Sequence, residues 1–235
     1  VGACDRAIES PPVRSFLAGG EVLTRRVQRS LLNPRALARE YLTSDIAPSF
    51  RVNGSRDPPD PAYREHAANG FRDWRLMIDG LVDTPLSLSL EELRQASPRT
   101  QITRHDCVEG WSCIGKWTGA RLAPLLDRAS LKREAKFLIF HCADNWGDDR
   151  KAEKYYESID LVDARHEQTI LAYSLNDAPL PVANGAPIRL RVERQLGYKH
   201  AKFVMRIEAV RDLADIRGGK GGYWEDRGYE WYAGI

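Results

Sequence analysis

Ile102-Thr103-Arg104-His105-Asp106-Cys107-Val108-Glu109-Gly110-Trp111-Ser112-Cys113-Ile114-Gly115-Lys116-Trp117-Thr118-Gly119-Ala120-Arg121-Leu122-Ala123-Pro124-Leu125-Leu126 is the stretch on which the reading of this chain turns. Two Trp, two Cys, a His and three Gly fall within it, a density of bulky and reactive side chains that a plain connector does not carry. Its pattern predicts a short strand ending near Asp106, an irregular loop holding Cys107, and a Gly-flanked turn into a helix. Leu122, Leu125, Leu126 and Ala129 recur at helical spacing and support that helix. Loops held on a rigid scaffold are where chemistry concentrates, so Cys107 becomes the candidate centre.

Working outward, Trp74, Leu76 and Ile78 alternate with polar positions up to Asp79-Gly80 and predict a strand. Ser89-Leu90-Glu91-Glu92 is a capping box opening a helix that stops before Pro98. Beyond the central stretch, Lys136 to Cys142 is an apolar β run ending on His141-Cys142-Ala143-Asp144. Tyr155-Tyr156-Glu157-Ser158 falls in a second polar loop, its tyrosines read as surface aromatics. Asn184-Gly185-Ala186-Pro187 turns into a strand over 188–192, and Phe203 to Val210 alternates as another. A Gly-rich aromatic tail follows, with Tyr223-Trp224 after four glycines between 218 and 222.

Residues 1–70 read as a wrapping arm of the same domain. Val27, Leu31, Ala38 and Leu42 predict a pair of short amphipathic helices broken near Asn33-Pro34, and Pro58, Pro59 and Pro61 mark an extended loop. Residues 71–235 then form the main body. With no internal repeat and no clear linker, the expectation is one α+β domain with mixed β-sheets and peripheral helices.

At 235 residues the chain can bury a real core without staples. Its 35 basic and 33 acidic residues nearly cancel, and no basic run or RNA-binding motif stands out, which argues against a nucleic-acid partner. No apolar run approaches the length of a membrane span. Four Cys (Cys4, Cys107, Cys113, Cys142) are too few for a disulfide scaffold, and their spacing is not the paired pattern of structural zinc. Val1-Gly2-Ala3-Cys4 resembles the end of a bacterial lipoprotein signal, against the alternative of a chance tetrapeptide. If the signal reading holds, the protein is exported, and Cys4 is a site for a lipid anchor.

Several strand ends and turns carry polar residues able to converge: Asn53, Cys107, Cys142, Asn184, Arg189, His200 and Lys202. Amides, Arg and Lys suit a phosphate or a polar heterocycle, and a thiolate suits a soft metal. The residues by themselves support an anionic cofactor beside a cysteine. The blocks Arg104-His105-Asp106-Cys107-Val108-Glu109-Gly110-Trp111, with Trp117-Thr118-Gly119, and Asn184-Gly185-Ala186-Pro187-Ile188-Arg189-Leu190, with Tyr198-Lys199-His200-Ala201-Lys202, go further. Together they resemble the signature of the sulfite oxidase-like molybdopterin oxidoreductases, in the branch that contains a periplasmic methionine-sulfoxide reductase, over about residues 70 to 210.

That resemblance implies a sulfite oxidase-type molybdopterin-binding fold, a molybdenum–molybdopterin cofactor, and two-electron oxygen-atom transfer. It implies that Cys107 is the protein's thiolate ligand to the metal. Pterin and phosphate contacts map onto Asn184, Arg189 and the segment from His200 to Lys202, with Asn53 matching an upstream contact. Cys142 stands where close relatives carry Thr, which exchanges a hydroxyl for a weaker hydrogen-bonding thiol. The chain has no Cys-x-x-Cys-His haem signature, so electrons are expected to pass to or from a separate cytochrome. Too few residues follow the second block for the dimerisation domain of true sulfite oxidases, which points to a monomer.

Direction is read from the residues after the ligand. Val108-Glu109-Gly110-Trp111 is acidic and aromatic, where sulfite-oxidising members place basic residues. Glu109, taken as a catalytic-site residue, would repel sulfite if it faces the pocket. That tilts the expectation toward reducing a neutral S-oxide or N-oxide, with sulfite oxidation as the alternative. Other readings remain open. Cys107 can be a small buried hydrophobe, or be paired with Cys113 in a disulfide that would occupy the ligand. His105 and His141 can complete a zinc site with Cys107 and Cys142. Trp111 and Trp117 can be core or funnel lining.

Overall fold

The computed structural model describes residues 33–146 and 153–235, with scattered positions before 33. From residue 33 on, the α-helices and strands begin with the short helix α1 (Pro61–Ala68), then β1 (Arg75–Gly80), β2 (Leu86–Ser89) and α2 (Leu90–Gln95). The hairpin β3 (Pro98–Cys107) and β4 (Trp111–Arg121) leads into α3 (Leu122–Ala129). Next come β5 (Phe137–Trp146), β6 (Glu153–Asp160), α4 (Leu161–Ala164), β7 (Ile170–Leu175), β8 (Ala178–Pro179), β9 (Arg189–Arg191) and β10 (Val204–Val210).

The strands form two sheets. One runs β2-β1-β10-β5-β6 and is mixed, because β1 and β10 pair in parallel while its other pairs are antiparallel. The other runs β3-β4-β7-β8, with β9 on β7, and is antiparallel throughout. A single apolar cluster joins both: Leu76, Ile78, Leu138, Phe140 and Ile207 from the first sheet meet Ala120, Leu171 and Leu190 from the second. This is the expected α+β fold.

Periodicity explains the elements that carry the core. In β1, Leu76 and Ile78 are buried while Arg75 and Met77 are exposed, as a half-buried strand requires. In β5, Leu138, Ile139 and Phe140 are all buried, the continuous apolar run of a strand covered on both faces. Helix α3 buries Leu122, Leu125, Leu126 and Ala129 along one stripe, and α2 opens on the reciprocal cap between Ser89 and Glu92.

Three expectations need correction. Cys107 ends a ten-residue strand, not a loop after a short one, and Trp111–Arg121 is an eleven-residue strand, not a turn. The turn itself is Val108-Glu109-Gly110, closed by Gly110 N–H donating to Cys107 O at 3.0 Å, with Gly110 at φ 83° where other residues are strained. Glycines that suggested a turn further on mark close approaches instead. A Cβ at Gly119 would lie 2.4 Å from the Leu171 carbonyl oxygen, and one at Gly115 would lie 2.8 Å from the Phe50 ring.

Tyr155 and Tyr156 sit in β6 and are buried, not at the surface of a polar loop. Their hydroxyls are satisfied inside, Tyr155 by Tyr198 O at 2.7 Å and Tyr156 by Asp226. The third correction concerns the arm. Of its first helix only Leu23, Val27 and Gln28 are described, all helical, and Cys4 lies outside the described residues. After Asn33-Pro34 there is no second helix: the backbone of Ala38 pairs with the Gln168 side chain, Glu40 bridges Thr103, and Tyr41 N–H donates to Ile102 O. This stretch runs as an extra edge along β3, leaving Leu37 and Leu42 exposed.

Candidate cofactor and active site

A cavity of about 750 Å³, counted out to its mouth, opens where the tip of the β3–β4 hairpin meets the segment 197–202. Its lining includes Asn53, Ser55, Cys107, Glu109, Asp144 and Lys202. Asn53, Cys107, Glu109, His200 and Lys202, singled out from sequence, thus come together on one wall-to-wall site. Arg189 stands just behind it, with its guanidinium 3.4 and 3.5 Å from Asn53 Oδ1 and 3.1 Å from Asn184 O. Asn184 is buried, and its amide nitrogen has no partner. Cys142 is buried in the apolar core, two residues before Asp144, and does not line the cavity.

Strand alternation sets what the hairpin offers. Gln101, Thr103 and His105 point inward from β3, while Arg104 points out and pairs with Asp106 at 2.8 Å. Cys107, at the strand's end, is half-buried and free. Burial pushes its thiol up, the Glu109 carboxylate adds to that, and the Glu109 backbone N–H and Arg51 oppose it. A metal cation reverses the balance, because a coordinating thiol is deprotonated outright. Glu109 Oε2 accepts from Trp111 Nε1 at 2.9 Å, which fixes the carboxylate beside the cysteine. Arg51 lies over the Trp111 ring, 4.6 Å from its centroid.

The inner half of the site is dominated by buried cations. Arg189 is wholly buried, 5.2 Å over Trp117, and desolvation together with Arg191 lowers its pKa to about 9. Lys202 is 5% exposed, and burial and Arg189 bring its pKa down to about 7. Its ammonium donates to the carbonyl oxygens of Asn53, Ser55 and Ala183, which only the three-donor charged form can satisfy at once. Among the described residues, neither Arg189 nor Lys202 has a carboxylate within ion-pair distance, unlike Arg191, which pairs with Glu193. Buried cations without a partner charge are strongly unfavourable. An anionic ligand relieves that cost.

Two buried histidines are neutral. Burial and the neighbouring Arg191 and Arg189 hold His200 well below the usual histidine range, and burial and His200 do the same for His105. A carbonyl can only accept, so the bond from His200 Nε2 to Gln195 O at 3.0 Å places the proton on Nε2 and leaves Nδ1 as an acceptor without a partner. Gly197 passes directly over His105: a Cβ there would be 2.5 Å from His105 Nε2.

Sequence reasoning missed Asp144, Ser55, Trp146, Tyr155, Tyr198, Trp224 and Tyr229 in the lining. Asp144 was within reach, since it ends the apolar run that marks β5. It is 3% exposed, Oδ2 accepts from Ser55 Oγ at 2.6 Å and Trp146 Nε1 at 2.9 Å, Oδ1 is unpartnered, and burial raises its pKa. The zinc and disulfide readings find no support. His141 pairs with Glu208 at 2.9 Å, away from Cys107, and among the described residues no three His, Cys, Asp or Glu side chains cluster as a metal site. Cys107 and Cys113 are both free, with Cys113 buried against Ser49 O. Trp117 is core, packed edge-on against Phe50 at 4.9 Å.

A half-buried thiol and buried cations without an ion-pair partner among the described residues define a domain suited to hold an anionic cofactor against a cysteine. The chain belongs to the oxidoreductase molybdopterin-binding domain family, whose model matches residues 64–215. It is 38% identical over 208 residues to subunit YedZ1 of Azospira oryzae, whose name provisionally assigns it to a protein-methionine-sulfoxide reductase; the match spans 88% of this chain and 72% of that one. It is 32% identical over 190 residues to the catalytic subunit MsrP of the Campylobacter jejuni protein-methionine-sulfoxide reductase, spanning 77% of this chain and 63% of that one. For the MsrP of Xanthomonas campestris the figures are 33% over 156 residues, 60% of this chain and 46% of that one. The sulfane dehydrogenase SoxCD from Paracoccus pantotrophus is similar in fold, with a TM-score of 0.52 at 25% identity over 63% of this chain and 40% of that one.

Family membership implies a molybdenum–pterin cofactor, and the residues present fit one. Unpartnered buried atoms include His200 Nδ1 and Asp144 Oδ1 on lining residues, and Arg189 Nε and Asn184 Nδ2 outside the lining, donors and acceptors of the kind a phosphate and a pterin heterocycle need.

Proposed function

We propose that this chain reduces a neutral S-oxide or N-oxide by oxygen-atom transfer at molybdenum, with Cys107 as the protein ligand to the metal. When bound, the cofactor would supply the two-electron redox chemistry of oxygen-atom transfer. The observation that carries the reading is the cysteine's place in one cavity with Lys202, backed by Arg189, two buried cations that have no carboxylate within ion-pair distance among the described residues.

Each residue has a role in this reading. Arg189 and Lys202 hold the cofactor's phosphate end, Asn53 and Asn184 orient it, and neutral His200 offers Nδ1 as an acceptor. Cys142 contributes through the packing of β5, beside Asp144. Glu109 acts at the catalytic end: its carboxylate, tied to Trp111, sets a negative charge beside Cys107 and disfavours a small anion such as sulfite. The names of the relatives support an S-oxide, and a protein-bound methionine sulfoxide is the substrate they point to.

Electrons come from a separate redox partner, a cytochrome in our reading. The designation of one relative as a subunit is consistent with such a partner. We place the protein in the periplasm or otherwise outside the cytoplasm, on the strength of Val1-Gly2-Ala3-Cys4.

A dye-linked assay with methionine sulfoxide, dimethyl sulfoxide, trimethylamine N-oxide and sulfite tests the reading. Turnover of the oxides with a reduced dye, and little with sulfite and an oxidised dye, is the expected result. Efficient sulfite oxidation alone would reverse the assigned direction.

A further inference from the structure

One wall of the cavity comes from the tail, beyond residue 215 where the match to the family model stops. Trp224 and Tyr229 line the cavity and stack on each other with ring centroids 5.2 Å apart. Trp146 meets Trp224 edge-on at 5.3 Å, and Tyr198 meets Tyr229 edge-on at 5.2 Å. Two apolar side chains of the lining remain exposed, Tyr229 at 38% and Val108, beside Cys107 on the hairpin turn, at 48%.

This wall is held firmly. Glu225 is buried on the Lys199 ammonium at 2.5 Å, and Asp226 accepts from the N–H groups of Gly218 and Lys220, both at 3.1 Å. Tyr198 Oη donates to Glu230 O at 2.6 Å. Lys199 lies in the same short segment as His200 and Lys202, so the wall and the cofactor-facing residues are set by one anchor.

We propose that Trp224 and Tyr229, with Val108, form a subsite for the apolar substituent of a neutral S-oxide, so that the tail sets the preference for bulky over small substrates. The inference rests on the S-oxide reading given above. The lining mixes two chemistries: Asn53, Ser55, His200 and Lys202, with the Asp144 carboxylate that Ser55 bonds, are polar, while the tail contributes aromatic rings. Val108, Trp146, Tyr198, Trp224 and Tyr229 are uncharged, and the charges that adjoin them in the lining, Asp144 bonded to Trp146 Nε1 and Glu109 next to Val108, are carboxylates, so this part gives an anion no help. Rigid ring faces provide large apolar contact at small entropic cost.

The test compares methyl phenyl sulfoxide with dimethyl sulfoxide on cofactor-loaded wild type, Trp224→Ala and Tyr229→Ala. Binding is read by titration calorimetry and turnover by a dye-linked assay. Wild type should favour the phenyl compound by about tenfold or more in Kd, the range that a few apolar groups give in a fitted pocket. Each variant should lower that ratio at least about threefold. Trp224→Ala removes a partly buried ring, so Tyr229→Ala, at the exposed edge, keeps the test independent of folding. An unchanged ratio in Tyr229→Ala overturns the subsite. Loss of bound molybdenum from folded Tyr229→Ala also overturns it, since that would assign the wall to the cofactor. A wild type that binds the phenyl sulfoxide more tightly, loses that preference in the variants, and reduces neither compound supports the subsite while refuting the reductase reading.

Discussion

The ammonium of Lys199 lies 2.5 Å from Glu225 Oε1, with the two side chains 0% and 1% exposed. Glu157, equally buried, takes the same ammonium, so two carboxyls share one cation. Burial and the Glu225 charge push the Glu157 pKa well above the usual carboxylate range. This triad ties the aromatic tail and β6 to the segment that carries His200 and Lys202.

From that arrangement, Lys199→Met should cost about 3–5 kcal/mol in urea unfolding, because it leaves buried carboxyls without their cation. Glu225→Gln should cost less than about 2 kcal/mol, because it removes a charge already in surplus. Equal losses would contradict the description of two carboxyls sharing one cation.

Lys202 predicts how pH acts on the cofactor-free protein. Its folded pKa of about 7 lies below the ordinary lysine value, so between those limits the unfolded chain holds a proton that the folded one has released. Stability contributed by this group therefore rises with pH across that window, and its cost is fully present below about 7. Anion binding has the opposite sign, since the charged amine attracts the ligand. Pyrophosphate should bind the cofactor-free protein with proton uptake and more weakly at pH 8 than at pH 6, as read by calorimetry in two buffers of different ionisation heat. Lys202→Met should flatten that dependence.

Glu109→Gln removes the negative charge beside Cys107. The kcat/KM for sulfite should rise about three- to tenfold at low salt, with a smaller rise at high salt, as expected for one partly exposed charge. The value for dimethyl sulfoxide, a neutral molecule, should not share the salt dependence. A sulfite rate indifferent to this substitution would show that the carboxylate does not face the incoming anion.

Gly119→Ala tests the hairpin register. Its Cβ would meet the Leu171 carbonyl at 2.4 Å, in the middle of the β4–β7 pairing, so a loss of about 1–3 kcal/mol is expected in thermal or urea unfolding. The same change at Gly110 has open space and is strained only through its φ of 83°.

These positions also explain what could be read beforehand. Strands β1, β5 and β10, the α3 stripe and the Ser89–Glu92 cap were legible because each is local: alternation, an apolar run, a helical period, a reciprocal hydrogen bond. β4 was not legible, because Gly115 and Gly119 carry a turn's composition for a reason that lies in Phe50 and Leu171, far away in sequence. β6 hid in the same way, since Glu157 and Ser158 look solvent-exposed until Lys199 and the Gly221 carbonyl supply their partners. At the site, the cysteine and the basic residues were readable as types. The aromatic wall was not, because nothing local in Tyr223-Trp224 says that a cavity lies beside it.

The central claim is that Cys107 binds molybdenum in a pterin-filled cavity. Elemental analysis of wild type and Cys107→Ser, purified from a host that makes the cofactor, tests it most directly, with circular dichroism to show that both are folded. The account predicts about one molybdenum per wild-type chain, and in folded Cys107→Ser a loss of oxotransfer activity with altered metal coordination in X-ray absorption, the sulfur contribution falling by one ligand. Zinc or no metal in wild type, or unchanged sulfur ligation and turnover in Cys107→Ser, would contradict it.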